Sequence, residues 1–369
     1  KKNLFKINIL GANKNFRLIC SQINEYKPDF FLVNDFKTFK KVEQKHRNVN
    51  TKIINEIKSK QYSFKKSDIA IAAIPGIAGL NPTIELIKNS KKILIANKES
   101  IICGWKILKK IALKKKTKIV PIDSEHFSIM KLLEKHDLKQ VRKIYLTASG
   151  GPFLNLSFSK LKKVKPVQAI KHPKWKMGKK ISIDSASLMN KILELIEAQK
   201  LFSIPLNKLE VIIHPESLVH AIIELKNGLF KFIYHDTSMI IPLANAIFDD
   251  QLNIEEFFPG ASSLKKNKII QSLNFSKVDV KKFPIFKLKT RLVEHNSTPI
   301  IINAANEVLV DQYLKKKIPF VSFYKLILNV LNDRNYKKYA IKDPINITQI
   351  LKIDQWARNT IFKKINKNA

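Results

Sequence analysis

The sequence contains few of the residues on which disulfide-stabilised and metal-thiolate proteins depend. Its two cysteines, Cys20 and Cys103, lie far apart and form no Cys-X-X-Cys motif, which excludes a disulfide framework and a thiolate metal site. Long apolar runs are also scarce. The longest, from Ile69 to Leu80, contains a proline and two glycines and is too short to span a bilayer. We therefore expect a cytoplasmic protein with no membrane partner.

Acidic residues are scarce beside basic ones, 30 against 68, which gives a net charge of +38. Such a charge suits a polyanionic partner, because neutralised phosphates release counterions. Only six of the basic residues are arginines, the side chain that recognition surfaces favour. The excess is lysine, scattered through a chain rich in Ile, Asn and Phe. This pattern favours compositional drift in a bacterial proteome, with a nucleic-acid surface and steering of small anionic substrates as alternatives.

The 369 residues, 45% of them hydrophobic, suffice for two or three packed domains. In the first part of the chain, short β-branched runs alternate with amphipathic stretches, a pattern typical of a parallel sheet with helices on both faces. The predicted strands are Ile7–Leu10, Phe30–Val33, Ile69–Ile74, Ile93–Ala96 and Lys118–Ile122. The predicted helices are Phe36–Arg47, Asn81–Lys88 and Trp105–Lys114. This is a doubly wound α/β domain, which binds ligands at the carboxyl ends of its strands.

A second α/β region and a helical C-terminal region follow. The second region has predicted strands at Lys143–Thr147, Ile181–Asp184, Leu209–His214 and Phe230–Tyr234, and predicted helices at Ala186–Leu201 and around Ser217–Ile223. Apolar residues at spacings of three and four predict the helices Ala304–Lys315, Phe320–Leu331 and Ile347–Ile365. We expect a Rossmann-like domain at 1–122, a catalytic domain at 123–248, a connecting region at 249–297 and a C-terminal helical domain at 298–369.

Polar side chains follow two neighbouring predicted strands, at the edge where an α/β active site lies. They are Asn97, Lys98 and Glu99 after the first strand, and Asp123, Ser124, Glu125 and His126 after the second. Asp123 and Glu125 fit a helix N-terminus, where Asp caps and Glu suits the macrodipole. They also fit a Mg²⁺ or Mn²⁺ site, for which a third carboxylate would decide.

The second region offers that carboxylate. After the predicted strand Ile181–Asp184, Ser185 stands at a turn and a helix carries Asn190, Lys191 and Glu194 on one face. A hydroxyl, an amide, a lysine and a helix N-terminus make a phosphate cradle, and Glu194 lies one turn further on. An ordinary salt bridge between Lys191 and Glu194 is the alternative.

Two further segments suit the same site. Ser149 precedes a Gly-Gly pair that lets backbone N–H groups approach an anion, although such a pair is often only a turn. The basic stretch 171–180 carries Trp175 and is broken by proline and glycine. It fits a lid that attracts a phosphorylated substrate and excludes water, with a solvated loop as the alternative.

Seven motifs, in this order and at these spacings, resemble one family, 1-deoxy-D-xylulose 5-phosphate reductoisomerase. The motifs are ANKES at 96–100, PIDSEH at 121–126, ASGGPF at 148–153, KHPKWKMGKKISIDSAS at 171–187, MNKxxE at 189–194, HPESLVH at 214–220 and INAANE at 302–307. The resemblance implies an NADPH- and divalent-metal-dependent enzyme that makes 2-C-methyl-D-erythritol 4-phosphate for isoprenoid synthesis. It also implies a homodimer. From the composition we expect no specific nucleic-acid partner, with a basic nucleic-acid-binding protein on the same scaffold as an alternative function.

Carried over residue by residue, the resemblance implies roles for most of these side chains. The implied ligands of Mg²⁺ or Mn²⁺ are Asp123, Glu125 and Glu194. The implied substrate contacts are Lys98 and Ser124 at the reacting part and Ser149, His172, Ser185, Asn190 and Lys191 at the phosphate. The implied NADPH contacts are Asn13, Lys14, Asn15, Asn97, Glu99 and Gly178. Trp175 and Met177 match the closing loop, and His214 and His220 match histidines that border the pocket.

The sequence departs from the family pattern at two places. The family has a first strand and a GSTGSIG-type turn, but Ile7–Leu10 and the residues after it resemble the second strand and its end. We expect that the sequence is an N-terminally incomplete version of an intact enzyme, with an inactive or altered homologue as the alternative. At 235–239 the chain has His-Asp-Thr-Ser-Met where the family more usually has Pro-Asp before the Met.

Overall fold

Short strands in the first third of the chain form two parallel sheets. The computed structural model describes residues 4–56, 66–258 and 272–367. The strands are β1 Ile9–Ala12, β2 Phe30–Val33, β3 Lys52–Ile54, β4 Ser67–Ala72, β5 Ser90–Ile95 and β6 Lys118–Pro121. One sheet has the order β1-β2-β3 and the other β4-β5-β6. A 3.0 Å hydrogen bond from Asn8 Nδ2 to Ser67 Oγ links the start of β1 to β4.

Helix N-termini lie at the carboxyl ends of these strands. The helices are α1 Phe16–Tyr26, α2 Phe36–Lys45, α3 Leu80–Lys88 and α4 Lys98–Lys115. Asn15, Asp35 and Asn97 follow β1, β2 and β5, and the side-chain oxygen of each accepts a backbone N–H of the next helix, at 3.2, 3.0 and 2.7 Å. Asx residues thus end the strands and cap the helices, which gathers polar groups at one edge.

A five-stranded mixed sheet forms the middle of the chain. Its strands are β7 Val141–Ala148, β8 Leu209–Ile213, β9 Val219–Leu225, β10 Phe230–Tyr234 and β11 Ser276–Lys277, in the order β10-β9-β7-β8-β11. Only β7 and β8 pair in parallel among these described strands. The helices of this part are α5 Ser124–Leu133, α6 Phe158–Leu161, α7 Pro166–Ala169, α8 Lys179–Ala186, α9 Met189–Phe202, α10 Ile240–Phe248 and α11 Ile254–Phe257.

The C-terminal part is helical and joins the main hydrophobic core. It contains α12 Thr298–Leu314, α13 Phe323–Leu331, α14 Tyr336–Ala340 and α15 Ile347–Lys367. Helix α12 is apolar on nearly every side, with Ile301, Ile302 and Leu309 fully buried, which is typical of a helix inside a core. It packs against α4, α13 and α15. Residues 259–271 of the predicted connecting region lie outside the described residues.

Two predicted elements are wrong. Residues Ile181–Asp184 belong to helix α8 and not to a strand. The alternation of Ser and Ile imitates a strand, but Lys180 and Asp184 form an i, i+4 ion pair of 2.9 Å. The helix predicted around Ser217–Ile223 is replaced by strand β9, which begins at Val219. That strand is buried along its whole length, so it lacks the alternation that marks a half-buried strand.

A left-handed residue breaks the predicted helix Ala186–Leu201. Leu188 has φ +61° between α8 and α9, so the chain turns there. The mixed α/β fold class with a helical C-terminal region is confirmed. Among the described helices, none combines the length and apolar character that a membrane crossing requires.

We predict that Leu309→Ala lowers the free energy of unfolding by about 2–5 kcal/mol, because it leaves a cavity in the core around α12. The matched control is Leu113→Ala on α4, where the leucine is 71% exposed and the expected loss is within about 0.5 kcal/mol. Chemical denaturation of both variants measures the difference. Equal losses would contradict the buried position of α12.

Candidate active site

Three carboxylates from two helices converge beyond the carboxyl end of β6. Asp123 caps α5 and accepts the backbone N–H of Glu125 at 3.3 Å. Glu194 lies on α9, which packs against α5, and its side chain is almost fully buried. Each of the three residues offers an oxygen, and these oxygens all lie within 4.8 Å of one another. The chain therefore assembles a compact oxygen-donor cluster from segments some 70 residues apart.

Two buried lysines bridge these carboxylates. Lys98 Nζ lies 2.7 Å from Asp123 Oδ2 and 3.1 Å from Glu194 Oε1. Lys191 Nζ lies 2.5 Å from Glu125 Oε1 and 2.6 Å from Glu194 Oε2. The amide of Asn190 accepts from Lys98 at 2.9 Å and donates to Glu194. Each ammonium thus compensates two of the three acidic groups.

The positive charge of two lysines neutralises only part of the negative charge of three carboxylates. Burial, together with repulsion by Glu194, raises the pKa of Glu125 to about 8. Burial also favours protonated Asp123, but the neighbouring ammonium of Lys98 outweighs it and lowers the pKa of Asp123 well below its usual value. A further positive charge would stabilise the ionised cluster. Three carboxylates without a thiolate suit Mg²⁺ or Mn²⁺, so this donor set fits a hard divalent cation.

His126 and Glu197 extend the cluster, and the sequence argument assigned neither a role. His126 Nδ1 lies 3.3 Å from both Asp123 Oδ1 and Glu197 Oε2, and its Nε2 lies 3.0 Å from the backbone oxygen of Glu194. Burial lowers the pKa of His126, but Glu197 and Asp123 outweigh this and raise it to about 9. His126 follows Asp123 by three residues, and Glu197 follows Glu194 by three. Residues at this spacing are neighbours on a helix surface, so the sequence could have identified both as partners of the predicted ligands.

A small group of polar side chains lies where β7 ends. Ser149 Oγ lies 2.9 Å from His172 Nε2 and accepts the N–H of Gly151 at 3.1 Å. Gly151 has φ +65°, and a Cβ there would lie 2.9 Å from the backbone oxygen of Ser185. Glycine therefore lets the Ser149 turn approach the end of α8. Ser185 lies on a helix, and not at the predicted strand-to-helix turn.

The segment 171–178 contacts these polar side chains through His172. Its backbone N–H groups at Lys174 and Trp175 donate to His172 Nδ1, at 3.1 and 2.9 Å, which leaves the proton of a neutral imidazole on Nε2. Burial, with repulsion by Lys191, lowers the pKa of His172 to about 4. The ring of Trp175 meets His220 edge to face at 6.0 Å. Met177 is half-buried in the same segment.

The two other pocket histidines differ in their surroundings. His214 Nδ1 lies 3.0 Å from both the backbone oxygen of Asn274 and Glu216 Oε2, and its Nε2 accepts the N–H of Leu218 at 3.2 Å. His220 stacks on His235 with ring centroids 4.0 Å apart. The departure at 235–239 therefore supplies a direct ring neighbour for His220.

The residues expected to meet the cofactor fall into two groups. Asn13, Lys14 and Asn15 are exposed after β1, where Lys14 Nζ lies 3.8 Å from Asp35. Asn97 is buried with both side-chain atoms hydrogen-bonded. Glu99 and Gly178 lie near each other, since Glu99 pairs with Lys180 of α8 at 2.7 Å and Gly178 caps that helix. Ser124 donates to Glu125 Oε2 at 2.7 Å beside the carboxylates.

The α/β fold, with a carboxylate and lysine cluster at the edge of its sheets, defines an enzyme. Family models match the chain along most of its length. The model described as 1-deoxy-D-xylulose 5-phosphate reductoisomerase matches residues 1–104. A second model, described as the C-terminal domain of 1-deoxy-D-xylulose 5-phosphate reductoisomerase, matches residues 119–202. A third, described as the DXP reductoisomerase C-terminal domain, matches residues 236–360. The chain belongs to the 1-deoxy-D-xylulose 5-phosphate reductoisomerase family, and the resemblance seen in the motifs is confirmed.

Similar proteins, some of known structure, are named as members of the same family. The enzyme of Pelagibacter ubique is 40% identical, over 95% of this chain and 90% of that protein. The enzyme of Wolbachia from Culex pipiens is 37% identical, over 98% of this chain and 92% of that protein. A crystal structure of DOX-P reductoisomerase with NADPH, fosmidomycin and magnesium has a TM-score of 0.88 at 29% identity, covering 99% of this chain and 92% of the other. The structure of the Zymomonas mobilis enzyme with NADPH has a TM-score of 0.86 at 29% identity, covering 99% of this chain and 93% of the other.

We predict that divalent-metal binding at pH 7 releases about one proton, because Glu125, with a pKa of about 8, is mostly protonated there and must ionise to bind. Mn²⁺ affinity then rises with pH up to about pH 8 and levels off above it. Calorimetry in buffers of different ionisation enthalpy measures the proton count. Glu125→Gln serves as the control, since it carries no such proton. No proton release at pH 7 in the unaltered protein would contradict the assignment.

Proposed function

We propose that this chain converts 1-deoxy-D-xylulose 5-phosphate to 2-C-methyl-D-erythritol 4-phosphate with NADPH and a divalent cation, in non-mevalonate isoprenoid synthesis. The observation that carries the proposal is the cluster of Asp123, Glu125 and Glu194, whose partner Lys191 lies near the hydrogen-bonded pair of Ser149 and His172. Structures of similar proteins that hold NADPH, magnesium and fosmidomycin support it.

The three carboxylates would hold the cation. Bound there, Mg²⁺ or Mn²⁺ supplies Lewis-acid polarisation of a substrate carbonyl, and NADPH supplies the hydride. Burial lowers the pKa of Lys98, but Asp123 and Glu194 outweigh it and keep this pKa well above its usual value. Lys98 therefore stays protonated at neutral pH. Its role is to stabilise negative charge on substrate oxygens and to hold a donatable proton, with Ser124 as a neighbouring contact.

The side chains around Ser149 would anchor the substrate phosphate. Its residues are Ser149, His172, Ser185, Asn190 and Lys191. Because the pKa of His172 is about 4, its ring stays neutral and donates from Nε2. Burial lowers the pKa of Lys191, but Glu125 and Glu194 raise it above its usual value, so Lys191 contributes the positive charge. An anchored phosphate lets binding energy position the reacting carbons.

The segment 171–178 would act as the lid, with Trp175 and Met177 as the side chains that cover the substrate. The last two residues of the predicted lid, 179 and 180, belong to α8. Closure excludes water from the reacting atoms. On the cofactor side we propose Asn13, Lys14, Asn15, Glu99 and Gly178 as contacts. Lys14 suits the 2′-phosphate by its charge. Asn97 acts on the same side by holding a neighbouring loop, since its own side-chain atoms are already engaged.

We further propose a cytoplasmic homodimer without a specific nucleic-acid partner. The five-stranded sheet supports a face for a second copy. Phe230 and Phe232 on its edge strand β10 are 58% and 47% exposed, whereas Ile222, the partner of Phe232 on β9, is buried. Two exposed phenylalanines on an edge strand suit a protein contact. The lysine excess is spread over the chain, which argues against one nucleic-acid surface.

We predict that Glu194→Gln lowers turnover by about a hundredfold or more, since even outer partners of a metal site are worth up to that much. The variant also weakens Mn²⁺ binding. The coupled assay follows NADPH absorbance with added Mg²⁺ or Mn²⁺, and electron paramagnetic resonance follows free Mn²⁺.

Glu134→Gln at the C-cap of α5 is the matched control, because this glutamate is exposed and pairs only with surface groups in the described contacts. It should leave both readouts unchanged. Activity that survives Glu194→Gln would remove Glu194 from its assigned role.

A further inference from the structure

The INAANE motif at 302–307 takes no part in the site described above, although it lies in the core. Asn303, Asn306 and Glu307 share one face of α12 by their spacing of three and four. Both asparagines are fully buried. Polar side chains at such positions need partners, because an unpaired buried polar group costs free energy. Their partners lie on the elements that carry the active site.

Glu307 supports the loop that follows β4. Its Oε1 accepts the backbone N–H of Ile77 at 3.3 Å and the amide of Asn303 at 3.1 Å. Gly76 in this loop has φ +74°, and a Cβ added there would lie 3.2 Å from Glu307 Oε1. The carboxylate therefore packs directly on the left-handed turn and leaves little room for another residue.

Arg358 holds Glu307 in this position. The guanidinium of Arg358 donates to Glu307 Oε2, and it also donates to Asp354 at 2.6 and 3.2 Å. All three side chains are largely buried between α12 and α15. A planar guanidinium bound to two carboxylates fixes geometry as well as charge. The loop thus rests on a rigid part of the C-terminal helices.

Asn97 holds the same loop from the active-site side. Its Nδ2 donates to the backbone oxygens of Ile74 at 2.5 Å and Gly76 at 3.1 Å. Asn97 directly precedes Lys98. Since the loop leaves the carboxyl end of a parallel strand, it lies at the edge where this kind of sheet binds its cofactor.

A second arm of the motif reaches the same side. Asn306 Nδ2 donates to Asp184 Oδ1 at 2.8 Å. The other oxygen of Asp184 accepts from Lys180 at 2.9 Å, and Lys180 also lies 2.7 Å from Glu99. Helix α12 therefore contacts both the loop after β4 and the ion pair that orients Glu99.

We propose that Glu307, held by Arg358, is a positioning residue that sets the cofactor loop 74–79 and so the affinity for NADPH. The inference rests on the proposed function. In the described contacts Glu307 bonds to Ile77, Asn303 and Arg358 and to none of the proposed metal or substrate ligands. Its loss therefore weakens NADPH binding and leaves the chemical step intact.

The test is a fluorescence titration with NADPH, without metal or substrate, on the unaltered protein, Glu307→Gln and Glu307→Ala. Gln keeps an oxygen for the Ile77 N–H but loses the charge that Arg358 needs, whereas Ala loses both. We expect the Kd for NADPH to rise about tenfold in Glu307→Gln, the effect of one weakened charge-assisted hydrogen bond, and further in Glu307→Ala. Asp311→Asn, the same chemical change on the exposed side of α12, leaves it unchanged.

Steady-state kinetics separate positioning from a purely structural role. The KM for NADPH rises in step with the Kd, whereas kcat at saturating NADPH and the KM for the phosphorylated substrate stay the same. Faster amide hydrogen exchange over residues 74–79 in the Glu307 variants, but not in Asp311→Asn, gives a readout without activity. An unchanged Kd in both folded Glu307 variants, or an equal rise in Asp311→Asn, would overturn the inference. Failure of the unaltered protein to bind NADPH would instead remove the proposed function.

Discussion

The pairing of buried carboxylates with buried ammonium groups is the interaction on which the site depends. Four acids lie in one cluster with two lysines and one histidine: Asp123, Glu125, Glu194, Glu197, Lys98, Lys191 and His126. Removing a charge from water is costly unless a partner of opposite sign replaces the solvent. Here every ammonium serves two carboxylates, and burial, together with the remaining negative charge of Glu194, raises the pKa of Glu125. The cluster therefore has both the geometry and the electrostatic demand for a divalent cation.

The fold serves this pairing by bringing three helix segments together. Lys98 begins α4 after one strand, Asp123 caps α5 after the next, and Lys191 and Glu194 lie on α9. Helix α12 then packs on α4 and supports the loop after β4. The position of the lysine ammonium groups thus depends on the same core that carries the C-terminal helices. Catalytic geometry and core packing are linked through buried polar contacts.

Sequence reasoning predicted most of the strands, because β-branched runs in a parallel sheet are continuous and bounded by Asx residues. It misassigned Ile181–Asp184, where the alternation that suggests a strand lies in a helix, and Ser217–Ile223, where a fully buried strand shows no alternation. The break at Leu188 was not predictable, because a left-handed leucine has no local signature and is held by tertiary packing.

For the site, local spacing indicated which residues share a helix face but not which charges meet across the fold. The shared face of Lys191 and Glu194 follows from their spacing, and their contact is present at 2.6 Å. The bridge from Lys98 to Glu194 joins residues 96 apart, and no local pattern encodes such a pair. His126 and Glu197 form a second potential oxygen and nitrogen donor group with Asp123. Anomalous diffraction from crystals soaked in Mn²⁺ distinguishes the two groups directly. The account predicts a single peak coordinated by Asp123, Glu125 and Glu194, and a peak among Asp123, His126 and Glu197 would contradict it.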